Sequence, residues 1–216
     1  IQHRGHSTYL AFGGDINLLI KELLGHKDGC ANGMGGSASI QSKETNIYGH
    51  DGLMGNQIPI AVGSCFASKK PTIAFVGDSA AEEDYVLSAI GWAATKELPI
   101  LFIVEDNNLS ILTEKKVRRS WEIHNVAKGF GVKSFDISDD PLEIKEHLDQ
   151  LPIKPLLLNI NTVRKYWHAG AGNDGDTFDR YQKEMEEIGD SAKEIDIKIK
   201  ADIQLKWKNF ISNEIS

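Results

Sequence analysis

"PTIAFVGDSAAEEDYVLSAIGWAATKELPILFIVEDNN" spans residues 71–108 and sets two apolar runs, 71–76 and 99–105, around a polar turn and a segment of helical period. Each run opens on a proline, Pro71 or Pro99, which a strand tolerates at its first residue. Between them, residues 81–96 place apolar side chains three and four apart, the spacing of one helix face. Strand, helix and strand in that order form the unit of a parallel sheet. Further along, 132–135 and 155–160 repeat the strand pattern, and 58–68, 120–130 and 141–151 repeat the helical one. The expected fold class is α/β, a doubly wound parallel sheet with helices on both faces.

The rest of the chain sets limits. With 216 residues, 41% hydrophobic and 25% charged, it suits one globular domain with a core of its own. A formal net charge of −7, with basic residues scattered except for a small cluster at 115–119, argues against a nucleic-acid surface. No signal peptide or membrane-length apolar span stands out. Cys30 and Cys65 fall in no metal-ligand or Cys-x-x-Cys spacing and read as small buried hydrophobes of a reduced, cytoplasmic protein. Before residue 57 the chain is rich in Gly and polar residues, as in "GCANGMGGSASIQSKETNIYGHDG" (29–52), and reads as a structured loop region without helices or strands. Within it "GMGGSAS" (33–39) lacks the Lys-Ser/Thr ending of a phosphate loop and follows no strand, so it reads as a loop that lets backbones pack closely. Domain limits of 1–175 for the α/β domain and 176–216 for a helical extension follow from the charged, helical C-terminal stretch. There Ile195, Ile199, Ile203 and Trp207 form an i, i+4 series suited to core packing or to a subunit contact.

In a sheet of this kind ligands bind beyond the carboxyl ends of the strands. Two such ends are unusually polar: "GDSAAEE" (77–83) and "EDNNLS" (105–110). Asp78 directly follows a buried run, where an unpaired charge would cost several kcal/mol in lost hydration. Gly77 permits a sharp turn, and Ser79 and Ala80 would open a helix whose free amides favour an anion such as a diphosphate. Asp78 and Asn107 would then offer two hard oxygens to one Mg²⁺ that also takes phosphate oxygens. Taken as spacing alone, the pattern favours a plain reading, Asp78 as a helix cap and Asn107-Asn108 as a turn.

Gly77-Asp78-Ser79 followed by Asp106-Asn107-Asn108 resembles the motif of thiamine-diphosphate enzymes. The whole segment from Gly77 to Asn108 is similar to the alpha subunit of the 2-oxo acid dehydrogenases of pyruvate, branched-chain and acetoin type. The likeness extends upstream through "HRGHSTYLAFGG", "GCANGMGGSASI" and "YGHDGLMGNQIPIAVG", and downstream to "NTVRKYWHAGAGND", covering residues 3 to about 190. It implies a thiamine-diphosphate-binding fold, the diphosphate-binding module. It implies Mg²⁺ ligands at Asp78, Asn107 and the Leu109 carbonyl, and diphosphate contacts at Gly77, the Ser79 and Ala80 backbone and Arg4. Gly52 and Met54 match the main-chain pair that addresses the aminopyrimidine ring, and His6 and His168 match two active-site histidines.

The same resemblance implies decarboxylation of a 2-oxo acid and transfer of the acyl unit to a lipoyl-bearing acyltransferase; transfer to an aldehyde or ketone, such as a sugar, is the alternative, and a non-catalytic scaffold subunit is a further one. The glutamate that activates the aminopyrimidine belongs, in that family, to a separate beta subunit; Glu82 and Glu83 lie on the diphosphate side and read as a solvated helix face. An alpha2beta2 heterotetramer is the implied assembly. Departures from the family pattern are Ser79 for a third glycine, Asp84 for a frequent glycine, Leu109 for a frequent aromatic, and the loop "YWHAGAGND" for a His-Gly-His-Ser run. Ala169 stands where some relatives carry a regulatory serine, which excludes phosphorylation at that point.

Overall fold

The structure, a computed structural model, describes residues 1–214 apart from 3, 50–51, 149–152 and 169–176. Its centre is a sheet of four parallel strands in the order β1-β2-β6-β5, formed by β1 (Thr72–Gly77), β2 (Ile100–Asp106), β5 (Lys133–Ser138) and β6 (Leu156–Asn161). A small antiparallel pair, β3 (Leu109–Ser110) and β4 (Thr113–Glu114), follows the end of β2. The helices are α1 (His6–Ala11), α2 (Ile16–Leu23), α3 (Gln57–Ser68), α4 (Asp84–Thr95), α5 (Lys115–Arg118), α6 (Ile123–Gly129), α7 (Pro141–His147), α8 (Arg180–Ile188) and α9 (Asp190–Glu214).

The two-residue period of a strand sorts the core into layers. Ile100, Phe102 and Val104 of β2 point to one face, where they join Ile58, Val62 and Cys65 of α3, Val86, Ile90 and Ala93 of α4, and Ile123 and Ala127 of α6. Leu101 and Ile103 point to the other, with Leu158 and Ile160 of β6, Ile137 of β5 and, partly buried, Ile144 of α7. All five residues from Ile100 to Val104 are buried, as a central parallel strand with both faces covered requires. The doubly wound expectation holds, with each strand displaced by at most a few residues from its expected limits.

Three expectations need correction. First, the region before residue 57 is not free of helices. Asp15 caps α2, its side chain accepting from the Asn17 amide at 2.6 Å, and Leu19 and Ile20 are buried. The capping aspartate and the glycine at Gly25 are the ordinary start and stop signals. Second, the helix expected from residue 81 begins at Asp84. Ala80–Glu82 form a single 3-10 turn, and Glu83, extended at ψ 138°, separates it from α4. The helix expected from residue 120 likewise begins at Ile123, after the short α5. Third, the C-terminal series does not pack into the core of this chain: Ile195 and Ile199 of α9 are exposed and Ile203 and Trp207 half-buried, while Ala192 is buried. The 175/176 boundary and Ala169 fall outside the described residues. Cys65 is buried in the core and Cys30 half-buried, both as free thiols.

The Gly-rich stretch does pack backbones closely, around an anion that the chain itself provides. Glu22 is fully buried. Its Oε2 accepts from the amides of Ala31 (2.7 Å) and Gly33 (2.9 Å), and its Oε1 from those of Gly35 (2.8 Å) and Gly36 (3.0 Å). Successive amides converging on one point form a nest for negative charge, and here the nest is filled by a carboxylate rather than a phosphate. Burial alone would raise the Glu22 carboxyl, but the four amides outweigh it and hold it below the usual carboxylate range. Gly29 shows how tight the wrapping is, since a Cβ there would lie 2.5 Å from Glu22 Oε2.

Candidate active site

The parallel ladder brings the two polar strand ends side by side. Gly77 pairs with Glu105, and the Asp78 amide donates to the Glu105 carbonyl at 3.2 Å. Asp78 therefore leaves β1 beside the point where Asn107 leaves β2. Around them lies a cavity of about 280 Å³, whose lining includes Met54, Gly77, Asp78, Ser79, Ala80, Glu105, Asn107, Leu109, Arg164 and His168. A larger open groove of about 570 Å³ between α3 and α4, lined by Val62, Tyr85 and Trp92 among others, lies away from the strand ends and suits packing rather than chemistry.

Asp78 is 2% exposed. Its Oδ2 accepts from Arg118 Nη2 at 2.6 Å, and Arg119 Nη1 donates to its carbonyl at 3.2 Å. Arg118 also reaches Glu82 at 2.5 Å, so Glu82 is a partner in an ion network rather than part of a solvated face. Burial pushes the Asp78 carboxyl above the usual range, and the nearby Asp106 adds to this against the pull of Arg118 and Arg119. Asp106, by contrast, does not line the cavity. It accepts from Lys115 Nζ (2.7 Å), the Asn108 amide (3.0 Å) and Asn159 Nδ2 (3.2 Å). Burial works against its charge, yet Lys115 and these amides hold it below the usual range. Asp106 of "EDNN" thus anchors the turn, while Asn107 beside it lines the cavity with its Oδ1 accepting from the Leu109 amide at 3.0 Å.

The remaining sequence-derived residues are distributed unevenly. Met54 and Leu109 line the cavity, and the Met54 carbonyl accepts from the Tyr85 hydroxyl. Gly52, at φ +101°, and His6 lie outside the lining. His6 Nε2 instead sits 3.0 Å from the Ser37 carbonyl. Arg4 donates through Nη1 to the carbonyl of His168, which places it at the rim. Ser79 Oγ donates to Ser110 Oγ at 2.9 Å. Residues that local patterns did not single out are Arg118, Arg119 and Lys115, whose partners lie up to 41 positions away, and Glu105. The Glu105 carboxyl is pushed up by burial and accepts from the Gln2 amide group.

The donor set can be tested against a Mg²⁺-diphosphate group. Among the described residues no three His, Cys, Asp or Glu side chains converge on one point. A cation at Asp78 and Asn107 would therefore take further oxygens from its ligand, the habit of Mg²⁺ with phosphates. Asp78 Oδ1 carries no hydrogen bond among the described residues, and no carbonyl accepts from the Ser79 and Ala80 amides. Gly77 lines the cavity, and a Cβ there would meet nothing within 4 Å. The missing side chain leaves room for a ligand. The residues fit the group, and the volume, near the lower edge of small-molecule sites, suits one part of a larger ligand.

Burial, then the charges of Arg4 and Arg164, push the His168 imidazole below the ordinary 6.5. A group of lowered folded pKa resists protonation as the pH falls through 6.5. A ring-proton NMR titration should therefore place His168 below 6.5. Added salt and Arg4→Gln should each move it upward, because both weaken the repulsion. A titration at or above 6.5, insensitive to both changes, would refute this electrostatic account.

A family model described as "Dehydrogenase E1 component" matches residues 1–206. The chain is similar to "Pyruvate dehydrogenase E1 component subunit alpha-1, mitochondrial" of Oryza sativa subsp. japonica, 31% identical over 179 residues that cover 77% of this chain and 45% of the relative. The corresponding alpha subunit of Rickettsia bellii is 29% identical over 183 residues, 77% of this chain and 55% of the relative. The chain thus spans about half the length of the curated relatives it matches. Among solved structures, a transketolase from Campylobacter jejuni superposes with a TM-score of 0.58 at 21% identity, covering 74% of this chain and 28% of that one, a likeness of fold. No helix among the described residues is long and apolar enough to cross a membrane.

Proposed function

This chain belongs to the dehydrogenase E1 component family, and on that premise we propose that it is the alpha-type part of a heteromeric enzyme that binds thiamine diphosphate and Mg²⁺. The enzyme decarboxylates a 2-oxo acid and passes the acyl unit to a lipoyl acceptor. The observation that carries this reading is the cavity at the paired ends of β1 and β2, lined by Asp78, Asn107, Gly77, Ser79 and Ala80, the last two with amides that meet no carbonyl among the described residues.

In this reading Asp78, Asn107 and the Leu109 carbonyl hold the metal, and the Ser79 and Ala80 amides with Arg4 hold the diphosphate. When bound, the cofactor supplies a carbanion for attack on the keto carbon. His168 lines the cavity, where its imidazole would serve the proton steps. Arg164, also in the lining, lends positive charge that suits the carboxylate of a 2-oxo acid. Glu82 is committed to Arg118 and Arg119, which supports a partner-borne glutamate for cofactor activation. Relatives named as alpha subunits support a beta-type partner.

The test is CO₂ release from a panel of 2-oxo acids by the full alpha chain assembled with its beta-type partner, run with and without a lipoyl domain. Turnover that requires thiamine diphosphate, Mg²⁺ and the lipoyl domain supports the reading. Turnover that instead requires an aldehyde or ketone would make the protein a carboligase. No cofactor-dependent release from any acid would leave a scaffold subunit.

A further inference from the structure

We infer that Glu22, which lies outside the cavity lining, is a positioning residue that sets His6 and Arg4 through the 31–38 loop. The inference rests on the proposed cofactor reading, since it concerns how two residues of that site are held.

The path is short. Glu22 Oε1 fixes the Gly36 amide at 3.0 Å, and Ser37 follows directly. The Ser37 carbonyl lies 3.0 Å from His6 Nε2, with Ser37 Oγ at 3.3 Å. A carbonyl only accepts, so this contact places a proton on Nε2. The next residue, Ala38, accepts from the Arg4 amide at 3.4 Å. Arg4 has a left-handed φ of +56°, a conformation that a residue with a side chain keeps only where its surroundings impose it. Its guanidinium reaches the His168 carbonyl, so a shift of the loop would carry through Arg4 to the cavity rim.

The carboxylate is suited to this task in a way its amide is not. Both oxygens of Glu22 accept, and together they take the four amides of Ala31, Gly33, Gly35 and Gly36. A glutamine presents one oxygen and one NH₂ group. That NH₂ would face two half-buried amide donors, leaving them without an acceptor, and the loop would open to satisfy them.

The experiment compares wild type and Glu22→Gln in the full alpha chain assembled with its beta-type partner. Deuterium uptake at 31–38, calorimetric affinity for thiamine diphosphate with Mg²⁺, and steady-state kinetics are measured on both. Glu22→Gln should raise uptake at 31–38 and weaken cofactor binding about tenfold, the scale seen when an outer-shell partner is lost. The apparent KM for the cofactor should rise in step, while kcat at saturating cofactor changes less; a merely structural lesion lowers the active fraction and hence kcat, and leaves KM alone. Unchanged uptake, or raised uptake with unchanged affinity, overturns the inference. Wild type that binds no cofactor overturns the functional reading instead, and with it this role for Glu22. Should Glu22→Gln fail to assemble, Gly36→Ala strains the same loop at φ +55°, where a Cβ meets nothing within 4 Å. It should weaken binding about threefold, within the penalty of a strained backbone position, and unchanged affinity would again overturn the inference.

Discussion

Replacing Asp78 with alanine should abolish Mg²⁺-dependent binding of thiamine diphosphate, raising Kd by at least about a hundredfold, because even an outer partner of a metal ligand is worth ten- to a hundredfold. Asp78 lines the cavity while Arg118 holds its Oδ2, so in the proposed site its removal takes away both a ligand oxygen and an ion-pair anchor. Stability should change far less. Burial already makes the Asp78 charge unfavourable, and Arg118 keeps Glu82 as a partner after the substitution. Asp78→Asn separates charge from shape: it retains an oxygen but no charge, and should bind weakly rather than not at all. Calorimetry on the assembled enzyme measures all three proteins. Wild-type affinity in the alanine variant would remove Asp78 from the metal site.

Phe102→Ala is the substitution expected to cost the fold most, by about 3–5 kcal/mol. Phe102 is 1% exposed on the central strand β2 and faces the helical layer built from α3, α4 and α6. Its ring is enclosed by strand neighbours and helices, so the space it leaves has little means of closing. The loss should appear as a lower urea midpoint with an unchanged slope, since the surface exposed on unfolding stays similar. A cost below about 1 kcal/mol would mean that the layer can collapse onto the gap.

The sheet and its helical faces were legible because strand and helix periods are local signals, and prolines at Pro71 and Pro99 marked two strand starts. The polar clusters that hold Asp78 and Asn107 stood out for the same reason, each lying just beyond an apolar run. What sequence could not supply was pairing at a distance. Arg118 and Asp78 are 40 positions apart, and nothing near Arg118 marks it as the partner of a buried carboxylate. Glu22 illustrates the same limit: "KELLG" reads as one more helix end, and only the fold shows the Gly-rich loop wrapped around it. The helix expected at Ala80 failed on a finer point. Glu83 has a helical pattern around it but an extended backbone, a tertiary choice that propensity does not record.

The pairing of Gly77 with Glu105 makes the spacing of Asp78 and Asn107 a property of the main chain. A slip of one step would displace one strand end by about 3.3 Å and turn every side chain of that strand to the wrong face. That shift exceeds the length of a Mg²⁺–oxygen bond, about 2.1 Å. The ladder thus works as a ruler with a single permitted setting, read out at the mouth of the cavity. Its divisions are hydrogen bonds that every residue type except proline can supply. Side chains along β1 and β2 are therefore free to diverge, within the volume the core allows, while the two proposed ligating positions stay in step.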